Sequence, residues 1–269
     1  VNELLGVPDG YQVLFLQGGA SLGFLKAAYN FLPQGGKAAY INTGTWASNA
    51  IKEAQKIGEV NVVASSEDKN YSYIPKGFGI PNDAKYLHFT SNNTIFGTQF
   101  KNFPVSRIPL ICDMSSDIFS KRINVVDFDL IYAGAQKNMG PAGTTLFIVK
   151  ESALGKTGND IPSMLDFRTH IKKDSMFNTP PVFPIYVSML TLQWLKKNGG
   201  VKWIEDLNQQ KADTIYQEID RNAMFKGVTA KEDRSNMNAT FVLNNEDLKE
   251  EFDKMWNEAR ISGIKGHRS

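Results

Sequence analysis

Short apolar runs alternate with segments of helical periodicity through residues 11–150, and this alternation limits the possible folds more than any other feature of the sequence. The run YQVLFLQ (Tyr11–Gln17) is followed by two glycines and by SLGFLKAAYNFL, whose apolar residues have helical spacing. Further strand-like runs are AAYIN, VNVVAS, AKYLHFTS, PLICDMSS, FDLIYAGA and TTLFIVK. The repeated order of strand, turn and helix predicts an α/β fold with a mainly parallel sheet covered on both faces.

The pattern changes after two consecutive prolines at 180–181. Long helical segments at 185–198 and 200–222 precede a short strand, ATFVL, and a charged helix at 246–261. We therefore predict a large α/β domain at residues 1–195 and a smaller α+β domain at residues 196–269. The chain has no initiator methionine and stops at GIKGHRS without a closing element, so we expect it to be trimmed at both ends and the smaller domain to be incomplete.

Charge and cysteine content exclude several classes of protein. A net charge of +2 over 269 residues does not favour binding to nucleic acid or to a membrane surface. The single cysteine, Cys112, excludes an internal disulfide framework and a cysteine-based zinc site, and we predict no metal. The sequence has neither a signal peptide nor a long apolar segment, which makes the cytoplasm the expected location.

Lys137 stands among small residues after the strand-like run FDLIYAGAQ. Most lysines extend to the surface, but Asn138, Gly140 and Pro141 predict an irregular backbone that holds this one beyond the carboxyl end of a strand, where α/β sheets bind ligands. We expect desolvation and nearby cations to lower the pKa of its ammonium. A neutral amine would then be available as a nucleophile toward carbonyl groups.

Three other features also follow strands. Asp113 ends the run PLICD, where a carboxylate either caps a helix or meets a cation. Gly18 and Gly19 open a helix and suit an anion, although the turn matches neither nucleotide-binding fingerprint and is equally consistent with a structural turn. Trp46 begins another helix, where its indole either packs in the core or covers a planar ring.

Together these features are the parts of a pyridoxal phosphate site. A lysine forms the Schiff base with the cofactor aldehyde, and a carboxylate keeps the pyridine nitrogen protonated so that the ring accepts electrons. The glycine turn holds the phosphate and the tryptophan stacks on the ring. The combination predicts the cofactor without identifying the substrate.

Seven ordered motifs carry a resemblance to a known family: LQGGAS, TGTWASNAIKEA, SNNTIFGTQ, CDMSSDIFSK, IYAGAQKNMGPAG, FNTPPVFPIY and GHRS. Through nearly its whole length the chain resembles the phosphoserine aminotransferase family, a branch of the class V aminotransferases in the fold-type I group of pyridoxal phosphate enzymes. The resemblance implies a seven-stranded sheet between helices. It also implies that members carry further residues before Val1 and after Ser269.

The resemblance assigns roles to residues of this chain. Lys137 would form the Schiff base, Asp113 would pair with the pyridine nitrogen, Trp46 would stack on the ring, and Thr94 would lie near the phenolic oxygen. The cofactor phosphate would be bound by Ala20, Ser21, Gln136, Asn178 and Thr179. The substrate phosphate would be bound by His267 and Arg268. Asn178 and Thr179 would reach the cofactor phosphate of the partner subunit, so the family's site requires a homodimer.

The reaction implied by the resemblance is reversible amino transfer between O-phospho-L-serine plus 2-oxoglutarate and 3-phosphohydroxypyruvate plus L-glutamate in serine biosynthesis. Many bacterial relatives also act in pyridoxine biosynthesis, and the sequence leaves that role open for this chain. Two alternatives stay open. The first is another class V enzyme, such as a cysteine desulfurase, which needs a mobile catalytic cysteine; Cys112 lies in a predicted strand and is expected to be packed. The second is a truncated, inactive chain that serves only as a dimeric scaffold.

Overall fold

The computed structural model describes residues 1–262. The strands are β1 (Tyr11–Leu16), β2 (Lys37–Asn42), β3 (Glu59–Ser65), β4 (Leu87–Thr90), β5 (Asn92–Asn93), β6 (Thr98–Gln99), β7 (Leu110–Asp113), β8 (Leu130–Gly134), β9 (Thr145–Lys150), β10 (Phe225–Gly227) and β11 (Phe241–Leu243). The α-helices are α1 (Asn2–Leu5), α2 (Gly19–Phe31), α3 (Thr45–Ala54), α4 (Phe167–Ile171), α5 (Val182–Lys197), α6 (Gly200–Arg221) and α7 (Lys249–Glu258). Among these helices, none combines the length and the apolar character needed to cross a bilayer.

Seven strands form one sheet in the order β1-β9-β8-β7-β4-β2-β3, so the predicted seven-stranded, mainly parallel sheet is confirmed. Strand β9 runs antiparallel to both of its neighbours, β1 and β8. The other neighbouring strands pair in parallel. Strand β9 can reverse direction because a short loop, residues 135–144, joins it to β8, whereas parallel neighbours need a crossover connection.

Apolar clusters cover both faces of the sheet. Along β7, Ile111 belongs to the cluster that packs under α2 and α3, and Cys112 belongs to the cluster on the opposite face. The second cluster also contains Leu192 and Leu195 of α5 and Val201 of α6. Burial on both faces explains why these strands are continuously apolar in sequence rather than alternating.

A separate small core lies in the C-terminal part of the chain. Ala212, Tyr216 and Ile219 of α6 pack against Phe225 and Phe241 of the β10–β11 pair. This core supports the proposed division into a large and a small domain at residues 195–196, and the division stays a prediction.

The segment between β10 and β11 holds the loop that follows β4. The Asn92 side-chain amide donates to Asn238 Oδ1 at 2.8 Å, and the hydroxyl of Thr229 donates to the Phe96 carbonyl at 2.8 Å. The backbone N–H of Ser235 donates to the carbonyl of Gly97, also at 2.8 Å. The segment between β10 and β11 therefore fixes a loop that contributes to the candidate site.

Candidate active site

Four polar or aromatic side chains meet at the carboxyl edge of the sheet. Trp46 follows β2, Thr94 follows β4, Asp113 ends β7 and Lys137 follows β8. These strands are successive neighbours in the sheet and run parallel to one another, so their carboxyl ends share one edge. The topology thus places together residues that are far apart in the sequence.

The hydroxyl of Thr94 joins Lys137 to Trp46. Lys137 Nζ donates to Thr94 Oγ1 at 3.2 Å, and Trp46 Nε1 donates to the same oxygen at 3.3 Å. The Lys137 ammonium also lies 5.0 Å from the centroid of the Trp46 ring, within the range of a cation–π contact. The amine is therefore held at the face of the Trp46 ring, and Lys137 remains exposed to solvent.

The electrostatic surroundings of Lys137 are partly as expected. Desolvation lowers the pKa of its ammonium, while the carboxylates of Asp113 and Asp117 act in the opposite direction. The expectation that nearby cations contribute was wrong, because the charged groups that influence Lys137 are carboxylates. The effect of desolvation outweighs that of the two carboxylates, so the pKa of Lys137 is lowered. Its amine is therefore nearer to the neutral form than the amine of an ordinary surface lysine.

Asp113 is buried, and one of its two oxygens is fixed by its neighbour in sequence. Ser115 donates to Asp113 Oδ1 from its backbone N–H at 2.9 Å and from its hydroxyl at 2.6 Å. Burial raises the pKa of the Asp113 carboxyl, and the two Ser115 hydrogen bonds and the Lys137 charge oppose that rise. On balance the pKa of Asp113 is raised, and the Ser115 hydrogen bonds and the Lys137 charge limit the effect of burial.

The glycine turn provides a helix N-terminus. Gly18 and Gly19 have φ angles of 106° and 63°, values that favour glycine, and a Cβ at Gly18 would lie 2.4 Å from Leu22 Cδ2. Within residues 1–262 no side chain caps α2, so the first-turn N–H groups, including those of Ala20 and Ser21, have no capping side-chain acceptor from that part of the chain. Such an N-terminus suits a phosphate.

Three further candidates lie at this end of the molecule. The Gln136 side chain folds back over Gly134 at the end of β8. It lies so close that a Cβ added to Gly134 would be 2.7 Å from Gln136 Oε1. The Asn178 amide donates to Gln17 Oε1 at 2.9 Å, and the Gln17 amide donates to the Thr179 carbonyl at 2.9 Å. Asn178 and Thr179 therefore lie beside the edge strand β1 of their own chain. The last two candidates, His267 and Arg268, lie outside the described residues.

Sequence reasoning missed several residues that shape the site. Ser115 holds Asp113, and Asp117, also buried, accepts hydrogen bonds from the Ser91 hydroxyl and, at 3.1 Å, from the Gln99 amide. The segment DMSSD contains the only available signal, since serines directly after a buried carboxylate are short donors within its reach.

Cys112 is fully buried in β7, and burial raises the pKa of its thiol well above the ordinary value. The prediction that it is packed is therefore confirmed. A buried, protonated thiol is not the mobile nucleophile that a cysteine desulfurase requires.

The donor set fits pyridoxal phosphate. An amine with a lowered pKa suits the aldehyde, and a buried carboxylate, whose charge a neighbouring cation would stabilise, suits the pyridinium nitrogen. An indole face suits the planar ring, and the uncapped start of α2 suits the phosphate. Each chemical part of the cofactor has a matching group at the same edge of the sheet.

Comparisons with known proteins agree with this chemistry. A profile of the family described as aminotransferase class-V matches residues 1–269. The chain is 65% identical to the phosphoserine aminotransferase of Flavobacterium psychrophilum over 100% of this chain and 76% of that relative.

Solved structures extend the likeness to three dimensions. A phosphoserine aminotransferase from Bacillus circulans subsp. alkalophilus superposes with a TM-score of 0.95 at 46% identity, over 99% of this chain and 75% of that one. A phosphoserine aminotransferase from Trichomonas vaginalis, solved with pyridoxal phosphate bound, superposes with a TM-score of 0.92 at 32% identity, over 99% of this chain and 77% of that one. The predicted fold-type I architecture is confirmed, and the chain belongs to the class V aminotransferase family.

Proposed function

We propose that the chain catalyses reversible amino transfer between O-phospho-L-serine plus 2-oxoglutarate and 3-phosphohydroxypyruvate plus L-glutamate, with pyridoxal phosphate as cofactor. The observation that carries the proposal is the convergence of Lys137, Asp113, Trp46 and Thr94 at one edge of the sheet, in a chain 65% identical to a phosphoserine aminotransferase. The reaction belongs to serine biosynthesis and uses free metabolites, which makes the cytoplasm the expected location.

Lys137 is the proposed acid–base group. Bound pyridoxal phosphate supplies an aldehyde and a cationic ring that withdraws electrons from the substrate α-carbon. The neutral amine of Lys137 would take the proton from that carbon and deliver it to the cofactor carbon that carries the aldehyde, as general base and then general acid. Its lowered pKa raises the fraction of neutral amine, and the Thr94 hydroxyl fixes the direction of the side chain.

Asp113 and Trp46 are proposed to hold the ring. Asp113 keeps a proton on the pyridine nitrogen, because a buried carboxylate, whose charge burial disfavours, is stabilised by a cation beside it. The indole of Trp46 covers one face and excludes water from it. The start of α2, with the N–H groups of Ala20 and Ser21, and the side chain of Gln136 bind the cofactor phosphate.

A homodimer is proposed to complete the site. Exposed apolar residues recur at helical spacing along α5, and they are Val182, Phe183, Tyr186, Met189, Leu190 and Trp194. An apolar stripe of this kind, next to the edge strand where Asn178 and Thr179 lie, suits a second copy of the chain. Across such an interface, Asn178 and Thr179 of the partner subunit would reach the cofactor phosphate.

Substrate selection is proposed to depend on the substrate phosphate. His267 and Arg268 match the family's phosphate-binding motif, and a guanidinium fork binds phosphate through two parallel hydrogen bonds. An amino acid that lacks the phosphate would lose this contact while keeping its α-amino and carboxylate groups.

The test uses the purified full chain loaded with pyridoxal phosphate. Borohydride reduction followed by peptide mass spectrometry should find the cofactor attached at Lys137. Amino transfer to 2-oxoglutarate should be fast with O-phospho-L-serine and slow with L-serine, L-alanine and L-cysteine. The same assay with 4-phosphohydroxy-L-threonine tests the role in pyridoxine biosynthesis. Equal rates with the phosphorylated and unphosphorylated amino acids would contradict the proposal.

A further inference from the structure

Ser115 contacts both Asp113 and the end of the strand that leads to Lys137. Its backbone N–H and its hydroxyl both donate to Asp113 Oδ1, at 2.9 and 2.6 Å. Its hydroxyl oxygen accepts the N–H of Gly134, at the end of β8, at 3.0 Å. Since Gly134 lies three residues before Lys137, one serine hydroxyl links the strand that carries the carboxylate to the strand that leads to the amine.

The direction of these hydrogen bonds is determined. A backbone N–H can only donate, so the Ser115 hydroxyl uses a lone pair to accept from Gly134 and has its proton available for Asp113. A hydroxyl that donates to a carboxylate favours the ionised form. This contact therefore opposes the effect of burial, which favours a protonated Asp113.

The two oxygens of Asp113 are not equivalent. Both Ser115 donors meet at Oδ1, which fixes the rotation of the carboxylate. Within residues 1–262, Asp113 Oδ2 has no hydrogen-bond partner. It is not among the polar atoms that are both unpaired and completely shielded from solvent. Oδ2 is therefore the oxygen left for a ligand.

We propose that Ser115 is a positioning residue that keeps Asp113 ionised, turns Oδ2 toward the pyridine nitrogen and fixes Asp113 relative to the Lys137 loop. The part of this inference that concerns the nitrogen rests on the proposed function. The effect of Ser115 on Asp113 itself does not, and it can be measured in the protein without cofactor.

The first experiment titrates Asp113 in the cofactor-free chain by infrared difference spectroscopy, with the carboxyl band identified by its loss in Asp113→Asn. Ser115→Ala should raise the pKa of Asp113 by about one unit or more. Ser115→Thr retains the hydroxyl and should titrate like the wild type. Ser116→Ala is the matched control, because it deletes a neighbouring buried hydroxyl that bonds to Asn92 rather than to Asp113.

The second experiment loads each variant with pyridoxal phosphate labelled with ¹⁵N in the ring. In Ser115→Ala the ring nitrogen resonance should move toward that of an unprotonated pyridine, and in Ser116→Ala it should stay at the wild-type position. We also expect kcat to fall about tenfold, with the KM for 2-oxoglutarate changed less than about twofold, because the defect lies in the ring and not in substrate binding.

The outcomes separate the two proposals. An unchanged Asp113 titration in folded Ser115→Ala, or an equal shift in Ser115→Thr, would overturn the role of Ser115 even if the enzyme transfers amino groups. If Ser115→Ala shows the shifted Asp113 titration but the wild-type chain does not transfer amino groups, the proposed function is overturned and the role of Ser115 stands. If Ser115→Ala does not fold, Ser115→Cys takes its place, since a thiol is a weaker donor and should give a smaller shift in the same direction.

Discussion

The ammonium nitrogen of Lys137 lies 5.0 Å from the centre of the Trp46 ring, although the two residues follow strands that are separated by two others in the sheet. Both side chains also bond to the hydroxyl of Thr94. The amine and the aromatic face are thus held at a defined separation.

Replacing Lys137 with alanine should reduce amino transfer by at least about 10³-fold, because the substitution removes both the attachment point and the acid–base group. The fold should persist, since Lys137 is exposed and its hydrogen bond to Thr94 lies at an open edge. Steady-state rates and thermal melting check both statements. The control is Lys52→Ala, an exposed lysine on α3. A variant that keeps more than about a tenth of the wild-type rate would contradict the role of Lys137.

Replacing Asp113 with asparagine should lower kcat by about 10²-fold or more, because a neutral amide cannot hold the pyridine nitrogen in its cationic form. The matched control is Asp117→Asn, a second buried carboxylate whose hydrogen bonds go to Ser91 and Gln99. That control should lower the melting temperature, and it should reduce kcat less than Asp113→Asn does. If the two substitutions reduce kcat equally, the special role of Asp113 is wrong.

Lys26 should make stability depend on pH in the alkaline range. Its side chain is 1% exposed, and its Nζ donates to the Met164 carbonyl at 2.5 Å and lies 3.2 Å from His170 Nε2. Burial lowers the pKa of Lys26 to about 8 from an ordinary value of 10.5, with Asp166 acting in the opposite direction. Between these two values the unfolded chain binds the proton that the folded chain has released. The free energy of unfolding should therefore rise with pH in this window, by on the order of 3 kcal/mol from this residue.

Urea unfolding at pH values across that window checks the effect by comparing the wild type with Lys26→Met. The neighbouring titratable groups do not interfere, because burial lowers the pKa of His170 and the pKa of Asp166 also lies below its ordinary value. The free energy of unfolding of Lys26→Met should rise less with pH than that of the wild type, and the exposed-lysine variant Lys52→Ala should follow the wild type. The same slope in all three proteins would mean that Lys26 is not the group responsible.

A charge on the exposed stripe of α5 should dissociate the proposed homodimer. Phe183 is 70% exposed on this stripe, and Phe183→Glu would bury a carboxylate if two copies met there. Val105→Glu is the control, since Val105 is 94% exposed and belongs to the loop between β6 and β7 rather than to α5. Sedimentation should show monomers only for Phe183→Glu. The affinity for pyridoxal phosphate should fall at least about tenfold with it, because residues of the partner subunit would be lost.

Two outcomes of the sedimentation experiment would contradict the dimer proposal. A wild-type chain that sediments as a monomer while it binds pyridoxal phosphate would contradict the shared site. A dimer that survives Phe183→Glu would place the interface elsewhere.

Replacing Asn92 with alanine should weaken both the fold and the site. Its amide donates to Ser116 Oγ at 2.9 Å and to Asn238 Oδ1 at 2.8 Å, and its oxygen accepts from Ser235 Oγ. Unpaired buried partners should reduce the free energy of unfolding by about 2–3 kcal/mol. A looser loop after β4 should also lower kcat, because that loop carries Thr94. The exposed Asn102→Ala is the control, and a kcat unchanged despite the loss of stability would show that the loop does not depend on this contact.

Much of the fold was predictable because its signals are local. Continuous apolar runs predicted the strands of the central sheet, and helical spacing at 185–198 and 200–222 predicted α5 and α6. The glycine turn at 18–19 and the small residues around Lys137 are also local signals, because both reflect short-range backbone geometry. For the same reason Lys137 and Asp113 could be selected as candidates from their positions after strands.

The buried contacts of the site were not predictable in this way. The sequence suggested cations near Lys137, whereas the structure brings carboxylates toward it. It contained no sign that Ser115 would join Asp113 to Gly134, or that Lys26 would be buried beside His170. Each of these contacts depends on which strands and helices become neighbours.

The sequence by itself determined the order of strands and helices and the residue types at the carboxyl ends of the strands, since both depend on local periodicity and turn chemistry. Tertiary structure decided that β2, β4, β7 and β8 lie side by side, and therefore that Trp46, Thr94, Asp113 and Lys137 share one edge. Strand order and the direction of a buried hydrogen bond depend on long-range pairing and packing, which the residues of any one segment do not specify.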